Sequence, residues 1–279
     1  MIGLSRSSYY YQSGPSKKLL SDFDLKIKIE QIQQTFPGYG YRRIYQHLLK
    51  EDGIRVNSKR LKRVMKNYGL YSCLKKWMRP RGSKTSIDLR YPNLIKGLKL
   101  TAPNQVWAVD ITYIRLRKEF IYLSAVLDIY TRKVVGWAIS RSLEHEFCLQ
   151  AMAIAIEKEN PPKGIIHHSD RGVQYVCEPY VRFLKEHGFE ISMSLPGSPR
   201  DNAFIERFFK TLKWEEIYFR NYEDVRDVIK RLPNFIDEVY NKKRMHSSLG
   251  YLSPEEYECK ILKLETADRP VQKIWGRTV

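Results

Sequence analysis

Cysteine is scarce in this chain of 279 residues, and long apolar runs are missing. No Cys-x-x-Cys pair occurs, which favours buried free thiols over disulfides or a zinc site. No apolar run approaches the roughly 20 residues that a membrane helix needs. The first residues also lack the apolar core of a secretion signal. Together these absences predict an intracellular, cytoplasmic protein with no membrane partner.

Acidic residues are sparse as well, but only in the first third of the chain. Residues 1–100 hold 22 Lys and Arg against 6 Asp and Glu, a net charge of +16, whereas residues 101–279 hold 27 against 25, a net charge of +2. Such asymmetry indicates a polyanionic partner. Nucleic acid is favoured over a membrane surface because the basic part contains no long amphipathic helix of the membrane type. A merely solvated basic surface is the alternative.

Composition and helix-ending residues predict five parts of the chain. They are an N-terminal extension at 1–20, a helical domain at 21–74, a basic linker at 75–103, a core of mixed strands and helices at 104–220 and a C-terminal helical segment at 221–279. The linker is broken by proline and glycine, and its cations suit contact with phosphates better than packing.

Three short helices are predicted in the helical domain, at 22–35, 41–51 and 58–68. The third places its cations outward, and these are Lys59, Arg60, Lys62, Arg63 and Lys66. Such an arrangement resembles a helix-turn-helix unit that contacts DNA. A small bundle with a solvated basic face remains compatible with the same pattern.

From residue 106 the sequence changes to strand-forming patterns. Strands are predicted at 106–114, 120–127 and 133–140, and the series helix–strand–helix–strand–helix follows them. Three strands in series followed by alternating elements predict an α/β fold, in which helices flank a mixed five-stranded sheet.

The stretch at 195–216 passes from a loop into a helix. Prolines and a glycine hold its start out of helix, and Asp201 is predicted to cap a helix that begins near Asn202. Apolar residues then recur at three- and four-residue spacing, which predicts a buried stripe. Another face carries polar residues, namely Asn202, Glu206, Lys210 and Lys213.

Three acids occupy positions from which strands or helices can deliver side chains to one place. Asp110 lies in the first predicted strand, Asp170 follows the fourth, and Glu206 lies on the helix. If they converge within ~4 Å, each pair repels by ~1 kcal/mol in water and by ~4 kcal/mol at an effective dielectric near 20. A bound divalent cation relieves such repulsion, and oxygen ligands favour Mg²⁺ or Mn²⁺.

Taken singly, each acid has an ordinary explanation. Asp110 fits a hydrogen-bonded strand residue, Asp170 a turn former, and Glu206 a partner of Lys210 in a helix ion pair. Asp128 also lies near a strand end, but its surroundings are typical of a hairpin, so it is left out of the group.

Sequence blocks around the three acids resemble a known family. WAVDITY at 107–113, HSDRGVQY at 168–175 and PRDNAFIERFFKTLK at 199–213 are similar to the catalytic blocks of DDE transposases and retroviral-type integrases. Between Asp170 and Glu206 lie 35 residues, the spacing typical of that superfamily. PGYGYRRI at 37–44 and YNKKRMHSSLGYLSP at 240–254 further resemble the second-frame product of the IS3 insertion-sequence family.

The resemblance implies an RNase H-like core in which Asp110, Asp170 and Glu206 hold two Mg²⁺ ions, with Mn²⁺ as a substitute. It implies nicking of DNA at an element end, followed by attack of the freed 3′-OH on a second phosphodiester. Lys213 would grip terminal DNA, with Lys210 and Asn202 as further contacts.

The resemblance also implies partners. They are double-stranded DNA, as terminal inverted repeats and as target, a second copy of the chain in a dimer or higher homo-oligomer, and an upstream-frame helix-turn-helix and zipper segment as partner or fusion. His168 either orders the second acid or is a neutral buried residue. Two other functions stay open: a non-catalytic regulator that binds element ends, and a general nuclease on the same fold.

Overall fold

The computed structural model describes residues 20–72 and 91–274, apart from 118, 196–197, 199–200 and 221. Nearly all of the predicted extension and most of the predicted linker lie outside the described residues. The chain divides into two compact units, Met1–Ser72 and Cys73–Val279. No helix among the described residues is long and apolar enough to cross a bilayer.

The first unit contains the three predicted helices. They are α1 (Asp22–Thr35), α2 (Tyr41–Lys50) and α3 (Ser58–Asn67). Ser21 and Asp24 form a capping box at the start of α1, and the Asn57 side chain caps α3. The helices bury an aliphatic core, whose fully buried members include Leu25, Ile29, Ile44, Leu48 and Leu61.

The second unit is built on the mixed five-stranded sheet that the sequence predicts. Its strands are β2 (Val106–Arg115), β3 (Phe120–Asp128), β4 (Val134–Ser140), β5 (Ile166–Ser169) and β6 (Glu190–Met193). They lie in the order β4-β3-β2-β5-β6, with antiparallel pairing from β4 to β2 and parallel pairing from β2 to β6. A two-stranded sheet pairs β1 (Lys99–Leu100) with β7 (Gln272–Lys273). The fold is α/β and RNase H-like.

Helices cover both faces of the sheet. On one face pack α4 (Glu146–Glu159), the short α5 (Val173–Val176) and α6 (Glu178–Glu186). Contact between α4 and β4 is very close, because a Cβ on Gly136 would come within 2.3 Å of the Ala151 carbonyl oxygen.

The other face is covered by the elements that follow β6. They are α7 (Ala203–Leu212), a π-helical segment (Lys213–Ile217), α8 (Tyr218–Arg220), α9 (Val225–Pro233), a second π-helical segment (Asn234–Asn241) and α10 (Pro254–Leu262). Two short 3₁₀ turns, Ser247–Leu249 and Thr266–Asp268, flank α10. Pro233 ends α9, and the chain continues from there as a π-helix.

Candidate active site

Two of the three predicted acids meet at the end of strand β5. That strand pairs with β2 in parallel at three positions and ends at Ser169. The same register continued by two residues brings Asp170 opposite Asp110. Both aspartates line one cleft of about 230 Å³, together with Tyr113 and Tyr122. The sheet thus opens beside Asp110 because its parallel neighbour stops there.

Asp110 lies in an unfavourable environment for a negative charge. Burial raises the pKa of Asp110 well above its usual value, and the charges of Asp170 and Glu206 raise it further. A hydrogen bond from the Ile111 N–H to Asp110 Oδ1, at 2.8 Å, and the nearby charge of Lys213 oppose this shift. The carboxyl group is therefore ready to bind a proton or another cation.

Asp170 is held by the loop that follows β5. Desolvation raises the pKa of Asp170, although its side chain reaches the surface, and the Gly172 N–H donated to its Oδ1 at 2.9 Å opposes the shift. The adjacent Arg171 is buried and donates to the carbonyl oxygens of Ser194 and Tyr91, each at 2.9 Å. These bonds tie the loop to two other segments, which fixes Asp170 at the cleft.

Glu206 reaches the same region from helix α7. The predicted apolar stripe of that helix is buried and consists of Ile205, Phe208, Phe209 and Leu212. Glu206 itself is half-buried, and its charge acts on Asp110. Among the described residues, however, no three His, Cys, Asp or Glu side chains are grouped closely enough to hold a metal ion. The three acids interact electrostatically without forming a ready metal cage.

The start of α7 differs from the prediction. Asp201 does not cap the helix, because its carboxylate accepts hydrogen bonds from Asn93 Nδ2 at 2.9 Å and the Leu195 N–H at 3.2 Å. Asn202 occupies the N-cap position without a side-chain cap. It is buried, and its Nδ2 lies 3.5 Å from the Val109 carbonyl oxygen. Asn202 thus links α7 to β2, and its predicted contact with DNA stays a prediction.

Lys213 lies where α7 passes into the first π-helical segment. Its Nζ is 4.2 Å from the centre of the Tyr113 ring, which lines the cleft. Two residues later, Glu215 accepts two hydrogen bonds of 2.7 Å from the Arg244 guanidinium, and both side chains are at most 7% exposed. This buried ion pair anchors the segment that carries Lys213. The sequence gives no local signal for the pair, because its members are 29 residues apart.

His168 is a structural residue. It is buried between the hydroxyl groups of Ser192 and Ser194, which lie 2.9 and 3.1 Å from its ring nitrogens. Burial lowers the pKa of His168 to about 4, so the ring is neutral at pH 7. Of the two roles proposed for His168, the structure supports the neutral buried one.

Asp128 forms the predicted turn between β3 and β4. Its carboxylate accepts from the Thr131 N–H at 3.0 Å, the Thr131 hydroxyl at 2.6 Å and the Tyr130 N–H at 3.4 Å. Burial outweighs these bonds and raises the pKa of Asp128 to about 6. The residue does not line the cleft of Asp110 and Asp170.

The cations of α3 fall into two kinds. Arg60 and Arg63 bind the Asp22 carboxylate at 2.7 and 2.8 Å, and Arg60 also donates to the Leu20 carbonyl oxygen. Lys59, Lys62 and Lys66 are exposed, as is Lys210 on α7. Contact of these side chains with DNA stays a prediction.

Comparison with protein families assigns both units. The model of an HTH-like domain matches residues 21–77, and two models described as an integrase core domain match residues 101–199 and 187–254. A chain of the simian T-cell lymphotropic virus intasome, solved in complex with PP2A regulatory subunit B56 gamma, is 13% identical with a TM-score of 0.49. It covers 91% of this chain and 79% of its own length, a likeness too distant to carry functional information.

Two sequence relatives are much closer. The transposase of insertion sequence element IS904 from Lactococcus lactis subsp. lactis is 37% identical over 88% of this chain and 97% of its own length. Transposase InsF of insertion sequence IS3A from Escherichia coli K12 is 38% identical over 58% of this chain and 56% of its own length. The chain therefore belongs to the IS3-family transposases of bacterial insertion sequences, which act in DNA transposition through an integrase core domain.

Proposed function

We propose that this transposase nicks DNA at an element end and joins the freed 3′-OH to a second phosphodiester, using Asp110, Asp170 and Glu206. The proposal rests mainly on one observation: Asp110 and Asp170 share a cleft in which the pKa of each is raised. Two neighbouring acids with raised pKa values in an integrase core are typical of a catalytic centre.

The donor set fits hard divalent cations. Asp110 and Asp170 supply carboxylate oxygens to one cleft, and neither is in a salt bridge within the part of the chain that is described. A cation there would relieve their mutual repulsion. Two Mg²⁺ ions, or Mn²⁺ in their place, would activate the attacking hydroxyl and stabilise the leaving oxygen. To serve together as ligands, the three carboxylates would have to come closer to one another than they lie here.

The chain's own residues have separate tasks in this proposal. Arg171 and the Gly172 N–H hold Asp170 in place, and the Glu215–Arg244 pair holds the segment of Lys213. Lys213 would neutralise a phosphate next to the scissile bond, since its charge already acts on Asp110. Lys210 would contact the same DNA further from the cleft.

The helical unit would supply affinity. Its exposed Lys59, Lys62 and Lys66 would contact phosphates of terminal inverted repeats, with Arg60 and Arg63 available where they release Asp22. Joining two ends to a target in the bacterial cytoplasm would need at least two copies of the chain. An upstream-frame helix-turn-helix and zipper segment would act as partner or fusion.

The test is a joining assay with an oligonucleotide duplex of the element end, Mg²⁺ and a plasmid target. Wild type should give nicked and joined products, whereas Asp110→Asn, Asp170→Asn and Glu206→Gln should give none and still bind the duplex. Glu157→Gln is the matched control, because this exposed helix carboxylate lies outside the cleft. The assay is run with and without the upstream segment.

Other outcomes separate the remaining functions. Joining by any of the three acid variants would refute the assignment of that residue. Binding without any product, in either form of the protein, would favour a regulator that occupies element ends through its cationic helix. Cleavage without joined product would favour a general nuclease.

A further inference from the structure

Part of the sheet beside the cleft is aromatic and only partly covered. Tyr113 pairs with Tyr122, and Arg115 pairs with Phe120, across the antiparallel strands β2 and β3. Because alternate residues of a strand point to the same face, these four side chains share one face of the sheet. We call Tyr113, Phe120 and Tyr122 the aromatic strip.

The aromatic strip runs from the cleft to the surface. Tyr113 and Tyr122 are half-buried and line the cleft that contains Asp110 and Asp170. The ring of Phe120 lies 5.9 Å from that of Tyr113 in an edge-on arrangement, and the side chain is 50% exposed. A flat apolar ring therefore stands in solvent at the outer end of the strip.

Two cations accompany the aromatic rings. The Arg115 guanidinium is centred 5.9 Å from the Phe120 ring, and Lys213 Nζ is 4.2 Å from the Tyr113 ring. Cross-strand aromatic pairs stabilise a sheet without any ligand. That role does not account for an exposed ring with a cation beside it at the mouth of an acidic cleft. Aromatic faces interleaved with cations are typical of surfaces that bind unpaired nucleotides.

We propose that the aromatic strip stacks an unpaired base of the DNA strand next to the scissile phosphate, with Phe120 as the outermost stacking ring. The inference rests on the proposed function, because it needs a phosphodiester in the cleft. An unpaired base is required, since the faces of bases within a duplex are already stacked on one another. Arg115 would neutralise the phosphate of the stacked nucleotide.

The test uses an element-end duplex with three unpaired flanking nucleotides, one of them 2-aminopurine, and a fully paired duplex of the same length. Binding is measured without divalent ions, so that no chemistry occurs. Wild type should bind the unpaired flank about 5- to 150-fold more tightly and quench 2-aminopurine fluorescence, because stacking on a protein ring contributes ~1–3 kcal/mol per base. Phe120→Ala should lose both effects.

Control variants distinguish a folding defect from the loss of the Phe120 aromatic ring. Phe120→Leu preserves apolar bulk without a stacking face and should also lose quenching, whereas Phe120→Trp should retain it. Phe219→Ala is the matched control, since Phe219 is 45% exposed with the Arg220 guanidinium 5.5 Å from its ring, and it does not line the cleft. It should bind and quench like wild type.

Several results would overturn the proposal. In the first, Phe120→Leu quenches 2-aminopurine as strongly as wild type does. In the second, wild type binds both duplexes equally. In the third, Phe219→Ala loses the preference for the unpaired flank. Asp110→Asn distinguishes this inference from the proposed function. It should keep the quenching while it loses joining, so a failure to join and a failure to stack are separate results.

Discussion

Asp110 and Asp128 lie on neighbouring strands of one sheet, and in both burial raises the pKa. The turn at Asp128 surrounds its carboxylate with three donors from Tyr130 and Thr131. The cleft at Asp110 offers one backbone donor and a second aspartate, Asp170. A buried acid with a full set of donors maintains the fold, whereas a half-buried acid that faces another acid is available for chemistry.

The largest effect on stability is expected where a buried acid loses the cation that pairs with it. Glu215 has a dedicated cation, and Arg244→Met removes it. The variant should lower the free energy of unfolding by about 3–5 kcal/mol, because a buried carboxylate is left without a partner. Urea titration followed by circular dichroism measures the loss.

Two control variants make that result specific. The double variant Arg244→Met/Glu215→Met should recover most of the stability, since no buried charge remains. Arg220→Met removes an exposed arginine that lies 3.8 Å from Glu216 and should cost less than about 1 kcal/mol. An Arg244→Met protein as stable as wild type would contradict the assigned role of the pair.

A smaller effect is expected in the pH dependence of stability, which should differ between Asp128 and Asp110. The pKa of Asp128 is raised from 3.8 to about 6 by folding, so the folded state binds its proton more tightly than the unfolded state. Its contribution to stability therefore falls as pH rises from about 4 to 6 and is constant above that window. Asp128→Asn removes this dependence, so its stability relative to wild type should rise by about 3 kcal/mol across the window.

The stability of Asp110→Asn relative to wild type should also rise with pH, but over a different pH range. Because the pKa of Asp110 is raised well above its usual value, the gain of the variant over wild type should continue beyond the window of Asp128. Urea titrations from pH 4 to pH 8 test both variants. Identical pH profiles for the two would contradict the contrast between their environments.

Local sequence patterns predict most of this fold, because its strands, helices and turns are specified by residues that lie close together in the chain. Alternating apolar residues and helix-ending glycines and prolines gave the five strands and the three helices of the first unit. The turn at Asp128 was also recognisable, since its donors lie two and three residues away. The separation of Asp128 from the acidic group therefore needed no tertiary information.

Features that depend on distant residues were not predictable in the same way. Asp201 stands where a helix cap is expected, but its carboxylate accepts a hydrogen bond from Asn93, which lies 108 residues earlier. The register between β2 and β5 that brings Asp170 beside Asp110 cannot be read from either strand alone. Their proximity was expected only through a family resemblance.

We expect the cleft of Asp110 and Asp170 to hold a divalent cation and the turn of Asp128 to hold none. Titration of Mn²⁺ into the protein bound to an element-end duplex, followed by electron paramagnetic resonance of free Mn²⁺, tests it directly. Wild type and folded Asp128→Asn should bind the ion alike, and Asp110→Asn should lose at least one bound ion. Equal binding by Asp110→Asn and wild type would contradict the account.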